Sequence, residues 1–187
     1  MGVLAIEAIL KKIDTLLKQK NRIIIAIDGP CTSGKTTLAG ELSAIYDCNV
    51  FHMDHFFLRP EQRTQERYAE IGGNVDYERF LDEVLNPLKK EIPFSYRPFD
   101  CKTFALTNPI CVTPKKLNIV EGSYSNHPYF GNPYDLKIFL TVTPQLQRQR
   151  IMERPMCLHQ KFFTQWIPME QLYIDHFQIQ QISDIIL

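Results

Sequence analysis

The sequence predicts an α/β fold in which a parallel sheet is covered by helices on both faces. Two observations predict it: short apolar runs typical of buried strands recur along the chain, and segments with helical spacing separate them. Strands joined in this way lie parallel, with right-handed crossovers. The chain has 187 residues, of which 44% are hydrophobic, so we expect one domain over 1–187 with its own core.

The predicted strands are apolar runs that end at Gly, Pro or charged residues. They lie at about 22–28, 49–53, 116–123, 135–142 and 183–187. Gly29-Pro30 ends the first strand abruptly. The segment 92–114 is rich in Pro, Tyr, Phe and Thr, so we predict short strands and loops there.

The predicted helices carry apolar residues three and four positions apart. They lie at 1–20, 34–46, 75–90, 144–155 and 161–179, and we expect a break near Pro168 in the last one. The first helix is amphipathic, and its apolar stripe consists of Ile6, Ile9, Leu10, Ile13, Leu16 and Leu17. This stripe packs either on the protein's own sheet or on a second copy, so a homo-oligomer stays open.

Charge and cysteine content exclude several classes of protein. Lys plus Arg and Asp plus Glu both total 21, so the chain has no overall positive field to hold nucleic acid or an acidic membrane. The five cysteines are widely spaced without a CxxC pair, which favours a reducing, cytoplasmic setting. We therefore expect a small-molecule partner, with no nucleic acid and no membrane.

The stretch GPCTSGKT matches the phosphate-loop pattern G-x-x-x-x-G-K-[ST] between a predicted strand and a predicted helix. The predicted nucleotide-binding residues are Gly29, Pro30, Cys31, Thr32, Ser33, Gly34, Lys35, Thr36 and Thr37. Backbone amides of such a loop form an anion site at the positive end of the helix dipole. Lys35 is expected to reach the β- and γ-phosphates of ATP, and the Thr36 hydroxyl to bind Mg²⁺.

Four further side chains suit phosphoryl transfer. Asp54 and Glu121 follow predicted strands, so both lie at the carboxyl edge of the sheet, where ligands of such folds bind. Arg150 and Arg154 are four residues apart, so we expect them to share a helix face and to point at the phosphates. The alternatives are a helix cap for Asp54, a surface turn for Glu121 and a solvated helix face for the arginines.

Several longer stretches carry a resemblance to a known family. These are FHMDHFFLRPEQRTQERYAEIGGNVDYERFLDEVLNPL, PFSYRPFDCKT, VEGSY and WIPMEQLY. Together they resemble the bacterial uridine kinase-like branch of the P-loop kinases, which is related to uridine-cytidine kinases, nicotinamide riboside kinases and phosphoribulokinase. The resemblance implies a five-stranded parallel sheet with a mobile lid, here at about 148–165. It also implies transfer of the γ-phosphoryl group of ATP to a primary hydroxyl, most simply that of a nucleoside.

The resemblance also implies catalytic and metal-binding roles. Asp54 matches the aspartate that acts as general base toward the substrate hydroxyl, and Glu121 matches an acidic residue near the metal. Together with the Thr36 hydroxyl, these two carboxylates are the expected ligands of the metal ion. Arg150 and Arg154 match lid arginines that act on the transferred group together with Lys35.

For the acceptor, the resemblance implies three residues. Asp76 falls where the family's aspartate holds ribose hydroxyls, and Tyr96 and Arg97 fall in the segment that lines the acceptor pocket. Without the resemblance, Asp76 reads as an N-terminal helix residue, and Tyr96 and Arg97 read as strand surface.

Two positions depart from the family pattern. His55 stands where the branch usually has a second aspartate, and Pro155-Met156 stands where it tends to Asn-Gly, which stiffens the lid hinge. Two rival functions therefore stay open. One is a kinase of a non-nucleoside metabolite such as pantothenate or a sugar phosphate, and the other is a nucleotide-binding regulatory protein without transfer.

Overall fold

A computed structural model describes residues 3–187. The strands are β1 (Ile23–Asp28), β2 (Cys48–His52), β3 (Phe94–Tyr96), β4 (Phe99–Asp100), β5 (Ala105–Leu106), β6 (Ile110–Val112), β7 (Leu117–Glu121), β8 (Leu136–Phe139) and β9 (Ile185–Ile186). Five of them form a parallel sheet in the order β2-β7-β1-β8-β9, which confirms the predicted α/β class. The segment predicted as short strands contains two small antiparallel pairs, β3-β6 and β4-β5.

The helices flank this sheet and connect its strands. They are α1 (Val3–Gln19), α2 (Lys35–Ile45), α3 (Gln65–Ala69), α4 (Tyr77–Phe80), α5 (Asn86–Lys90), α6 (Pro144–Met152), α7 (Met156–Lys161) and α8 (Ile167–His176). Two π-helical segments join α4 to α5 and α7 to α8, at Leu81–Leu85 and Phe162–Trp166. The two predicted helices that contain these segments are therefore continuous but not regular. The break predicted near Pro168 was wrong, because Pro168 lies in the first turn of α8, where its missing N–H is tolerated.

Strand β1 lies at the centre of the core, with all six residues buried. Because side chains alternate along a strand, Ile25 packs toward one face of the sheet and Ile24 toward the other. On the Ile25 face, Ile9 and Ile13 of α1 join the same apolar cluster, so the apolar stripe of α1 packs on the protein's own sheet. The first two residues of the predicted helix 1–20 lie outside the described residues.

The opposite face of the sheet carries a larger cluster, which includes Phe80, Val84 and Tyr173. It joins the helical segment of residues 77–90 to α8, so both pack against the same side of β1 and β7. None of the helices within residues 3–187 combines the length and the apolar character that crossing a bilayer requires.

His127 should make the folded protein sensitive to acid. It is buried and stacked on Tyr77 with ring centroids 4.5 Å apart, and burial, followed by the charge of Arg67, lowers its pKa from 6.5 to about 4. Between these values the unfolded chain binds a proton that the folded chain does not, so stability falls as pH falls. The full effect amounts to about 3 kcal/mol.

We expect His127→Phe, which keeps an aromatic ring on Tyr77, to flatten this dependence. Urea unfolding at a series of pH values from 7.5 to 4.5 would measure it, with the value at pH 7.5 as each protein's reference. Identical losses of unfolding free energy in both proteins would show that His127 is not the source.

Candidate active site

The carboxyl edge of the sheet gathers the ends of three neighbouring strands, β1, β7 and β2. The register pairs Glu121 of β7 with Ile27 of β1 on one side and with His52 of β2 on the other. The loop 29–34 leaves this edge from β1, and Asp54 lies in the 3-10 turn after β2. The fold therefore brings the phosphate loop, Asp54 and Glu121 to one place.

The loop between β1 and α2 bends sharply at three residues with positive φ. These are Gly29 with φ 140°, Thr32 with φ 61° and Gly34 with φ 101°. Gly34 is the N-cap of α2 and has no side chain to offer its first turn, whose amides also lack intrahelical partners. These amides form an anion site at the positive end of the helix dipole.

The side chains of the loop fit a ligand with many negatively charged oxygens. Lys35 is buried, and its Nζ donates to the carbonyl oxygens of Gly29 and Pro30, both at 2.8 Å. The hydroxyls of Thr32 and Ser33 are buried and have no hydrogen-bond partner within residues 3–187. Buried hydroxyls of this kind call for an explanation. A triphosphate held in the loop would supply the missing acceptors.

Glu121 connects the loop helix to β2. Its two carboxylate oxygens each lie 3.2 Å from the Thr36 hydroxyl, and Oε1 lies 2.5 Å from Nδ1 of His52. The hydrogen bond to Glu121 raises the pKa of His52, although burial opposes the rise. The sequence motifs assign no role to His52, and its place directly before the turn that carries Asp54 is the signal that points to it.

Asp54 lies within the field of the same group of charges. Desolvation by the surrounding protein raises its pKa, and the negative charge of Glu121 adds to the rise, while Lys35, His52 and Arg154 oppose it. Solvent nevertheless reaches the side chain. We therefore regard the desolvation as partial, and the carboxylate is accessible to a second substrate.

The donor atoms at this edge suit Mg²⁺. A hydroxyl from Thr36 and carboxylates from Glu121 and Asp54 are hard oxygen ligands, and Mg²⁺ usually binds one or two carboxylates together with substrate phosphates. In the described part of the chain, no three His, Cys, Asp or Glu side chains are grouped as a ready-made metal cage. The residues therefore fit a magnesium ion that is bound jointly with a phosphate ligand.

The two predicted lid arginines do not share a helix face, because α6 ends at Met152 and Arg154 lies beyond it. The prediction of a helix to residue 155 was wrong at this end. Arg150 donates from its guanidinium to the carbonyl oxygen of Thr32 at 2.6 Å. Arg154 is exposed, and its charge acts on the pKa of Asp54. The two arginines thus act on different parts of the site.

Asp76 is buried at the N-terminus of α4 between two arginines. Its Oδ1 accepts a hydrogen bond from the amide of Arg79 at 3.2 Å, which caps the helix. Its Oδ2 lies 3.4 Å from Nε of Arg79 and 3.5 Å from Nε of Arg59. Asp76 is therefore a helix cap, and any acceptor hydroxyl would have to share Oδ2 with these arginines.

Tyr96 forms part of a buried aromatic wall next to the turn of Asp54. Its ring packs against Phe51 and Phe56, and its hydroxyl lies 3.2 Å from Nδ1 of His55. Burial, together with the charge of His52, lowers the pKa of His55 to about 4. The residue that replaces the family's second aspartate is therefore neutral near pH 7.

The side chain of Arg97 contacts the hairpin that contains β4 and β5. Its guanidinium donates to the carbonyl oxygens of Leu106 and Thr107 at 2.9 and 2.7 Å, and its own carbonyl oxygen accepts from Arg79 at 2.8 Å. These bonds stabilise the hairpin that lies beside the aromatic wall. The Arg97 guanidinium is therefore engaged by the backbone of the hairpin.

Two buried carboxylates behind the loop were missed by sequence reasoning. Asp28 accepts hydrogen bonds from the amides of Gly29 and Asn126 and from the Tyr173 hydroxyl, at 2.7, 2.9 and 2.8 Å. Glu170 of α8 accepts from the amide of Cys31 at 2.7 Å. Burial raises the pKa of both carboxyls. The sequence signal for Asp28 is its place as the charged last residue of the apolar run IIIAID, and the signal for Glu170 is its place in WIPMEQLY, one of the stretches that carry the resemblance.

Replacement of the loop glycines should separate backbone strain from steric overlap. A Cβ at Gly29 would lie 2.2 Å from the carbonyl oxygen of Leu140, whereas a Cβ at Gly34 meets no described atom within 4 Å beyond its neighbours. We expect Gly34→Ala to cost about 1–2 kcal/mol of unfolding free energy through its positive φ alone. Gly29→Ala should cost more, and equal losses in urea unfolding would contradict the overlap.

Comparisons with known proteins bear on the fold and on the family that the chain resembles. No protein-family model matches the chain. A Schizosaccharomyces pombe protein named "Putative uridine kinase" is 29% identical over 167 residues, which make up 74% of this chain and 68% of that protein.

Two solved structures share the fold over nearly the whole chain. A "possible uridine kinase" from Bacillus stearothermophilus has a TM-score of 0.70 at 20% identity, covering 96% of this chain and 99% of that one. A "putative fructose transport system kinase" from Silicibacter sp. TM1040 has a TM-score of 0.69 at 23% identity, covering 100% of both. The chain therefore has the α/β fold of the P-loop kinases, and it resembles their uridine kinase-like branch.

Proposed function

We propose that this protein is an ATP-dependent kinase that transfers the γ-phosphoryl group to a hydroxyl of a nucleoside. The observation that carries the proposal is the meeting of Thr36, Glu121 and Asp54 at the mouth of the phosphate loop. The name of the S. pombe relative supports a nucleoside as acceptor. We further propose a single domain that acts in the cytoplasm, with residues 148–165 as its lid.

In this proposal the loop holds the phosphates of ATP. The first amides of α2 donate to the phosphate oxygens, and Lys35 turns from the carbonyls of Gly29 and Pro30 toward the β- and γ-phosphates. Thr36 and Glu121 would hold Mg²⁺, which would supply positive charge to the phosphate oxygens when bound. His52 keeps the Glu121 carboxylate oriented through its short hydrogen bond.

Asp54 acts as the general base. It accepts the proton of the acceptor hydroxyl, whose oxygen forms the new bond to the γ-phosphorus. The bond from that phosphorus to the β–γ bridging oxygen breaks, and ADP leaves. A raised pKa makes Asp54 a stronger base than an ordinary aspartate, so turnover should fall as pH falls through that pKa.

The arginines provide positive charge from two directions. Arg150 is already hydrogen-bonded to the loop at Thr32, so it can steady the loop around the phosphates. Arg154 is exposed in the proposed lid, and closure would bring its guanidinium onto the γ-phosphoryl oxygens, where charge develops during transfer.

A second candidate is a kinase of a negatively charged metabolite such as a sugar phosphate or pantothenate. The observation that favours it is the pair of arginines, Arg59 and Arg79, beside the carboxylate of Asp76. These arginines partly balance the negative charge of Asp76. Arg59 is also partly exposed, so its guanidinium suits an anionic group of the acceptor.

Asp54→Asn should lower turnover by roughly 10²- to 10⁴-fold, because it removes the base while keeping the shape of the side chain. The affinity for Mg-ADP should change far less. Steady-state kinetics and calorimetric titration would measure the two effects. Asp175→Asn, at an exposed position of α8, is the matched control and should leave both unchanged. Parallel losses of binding and turnover in Asp54→Asn would count against the base.

An ADP-release screen with Mg-ATP against nucleosides, ribosides, pantothenate and sugar phosphates would identify the acceptor. If a nucleoside is the acceptor, Asp76→Asn, which keeps a capping oxygen, should raise its KM by about tenfold or more, because a charged hydrogen-bond acceptor for the ribose is lost. Stimulation by anionic metabolites alone would favour the second candidate. Slow hydrolysis that no acceptor stimulates would contradict both and favour a regulatory protein.

A further inference from the structure

We propose that Glu170 is a positioning residue for nucleotide binding, which holds the phosphate loop in its receptive shape through the amide of Cys31. The inference rests on the proposed nucleotide function but concerns a residue outside the sites of transfer. Glu170 belongs to WIPMEQLY, a stretch to which the proposed mechanism gives no role.

The contacts of Glu170 converge on the first half of the loop. Its Oε2 accepts from the Cys31 amide at 2.7 Å, and its Oε1 accepts from the Ser123 hydroxyl at 2.8 Å. The same Ser123 oxygen lies 3.1 Å from the carbonyl oxygen of Gly29. One carboxylate therefore fixes the loop directly at Cys31, and it competes with the Gly29 carbonyl oxygen for the single proton of the Ser123 hydroxyl.

The cost of burying the Glu170 carboxylate indicates that it has a specific role. Glu170 is only 7% exposed, and burial of a carboxylate is costly unless hydrogen bonds offset it. A negative charge here also repels a nearby triphosphate, although Lys35 counters it. A leucine would fill similar volume without these costs. The gain that remains is the fixed direction of the Cys31 amide, while the amides of α2 stay available for phosphate.

A second contact from α8 acts on the same loop. Tyr173 lies three residues after Glu170, on the same helix face, and donates to Asp28, which accepts the amide of Gly29. Helix α8 thus holds the loop at Gly29 and at Cys31. Because α7 and α8 are joined by a π-helical segment, the loop is connected to the helix that carries part of the proposed lid.

The test compares three variants: Glu170→Ala, Glu170→Gln and Gln171→Ala. In Glu170→Gln the amide oxygen can accept from Cys31 while the amide nitrogen donates to Ser123, so the loop stays held without the charge. Gln171 is the exposed neighbour on α8 and serves as the control. Calorimetric titration with Mg-ADP, without any acceptor, measures the Kd of the folded protein, and thermal unfolding measures stability separately.

We expect Glu170→Ala to weaken Mg-ADP binding about tenfold, and Glu170→Gln to stay within about threefold of the wild type, because only alanine leaves the Cys31 amide unpaired. Gln171→Ala should bind as the wild type does. If Glu170→Ala fails to fold, Ser123→Ala, which removes the support of Oε1, should weaken binding in the same direction by about threefold.

Three results would overturn the inference. One is unchanged Mg-ADP affinity in Glu170→Ala, or in Ser123→Ala where that variant is used. Lower stability with unchanged affinity is the result expected of a purely structural residue. Another is an equal loss of Mg-ADP affinity in Glu170→Gln and Glu170→Ala, which would assign the effect to the charge of Glu170. A wild type that binds no Mg-ADP would overturn both proposals. A wild type that binds Mg-ADP but phosphorylates no acceptor overturns only the proposed function, and the comparison of Kd values still decides the role of Glu170.

Discussion

The parallel pairing of β7 with both β1 and β2 is the constraint on which the candidate site depends. All residues of β1 and β7 are buried, and the carboxylates Asp28 and Glu121 are the last residues of these two strands. The register sets Glu121 level with Ile27 and His52. The loop that follows β1 then leads into α2, whose second residue, Thr36, lies beside Glu121. A shift of one residue would turn Glu121 to the other face of the sheet.

This edge concentrates acidic side chains around the buried Lys35. Burial raises the pKa of Asp28, Asp54 and Glu170. The positive charge of Lys35 opposes this rise in each case but does not cancel it. A bare triphosphate would add further negative charge to the same space. The site therefore favours a phosphate ligand that brings its own cation, which agrees with the hard oxygen donors of Thr36 and Glu121.

Local features were readable from the sequence, and long-range ones were not. The strand IIIAID and the glycine turn after it follow from neighbouring residues, so the loop was predicted closely. Glu170 meets Cys31 across 139 residues, and His52 meets Glu121 across 69, so no local pattern announces either contact. The shared helix face predicted for Arg150 and Arg154 was wrong for a different reason: the helix was predicted to continue to Pro155, but it ends at Met152.

The two departures from the family pattern affect different properties. His55 is neutral near pH 7 because burial lowers its pKa to about 4, so it adds no negative charge beside Asp54. A magnesium ion at this edge would then depend on Thr36, Glu121 and the phosphates themselves, which would tie metal affinity to bound nucleotide. Pro155 is the N-cap of α7 and its ring restricts φ. Rotation within the proposed lid would therefore fall on the residues next to Pro155, while α8 continues to hold the loop at Cys31.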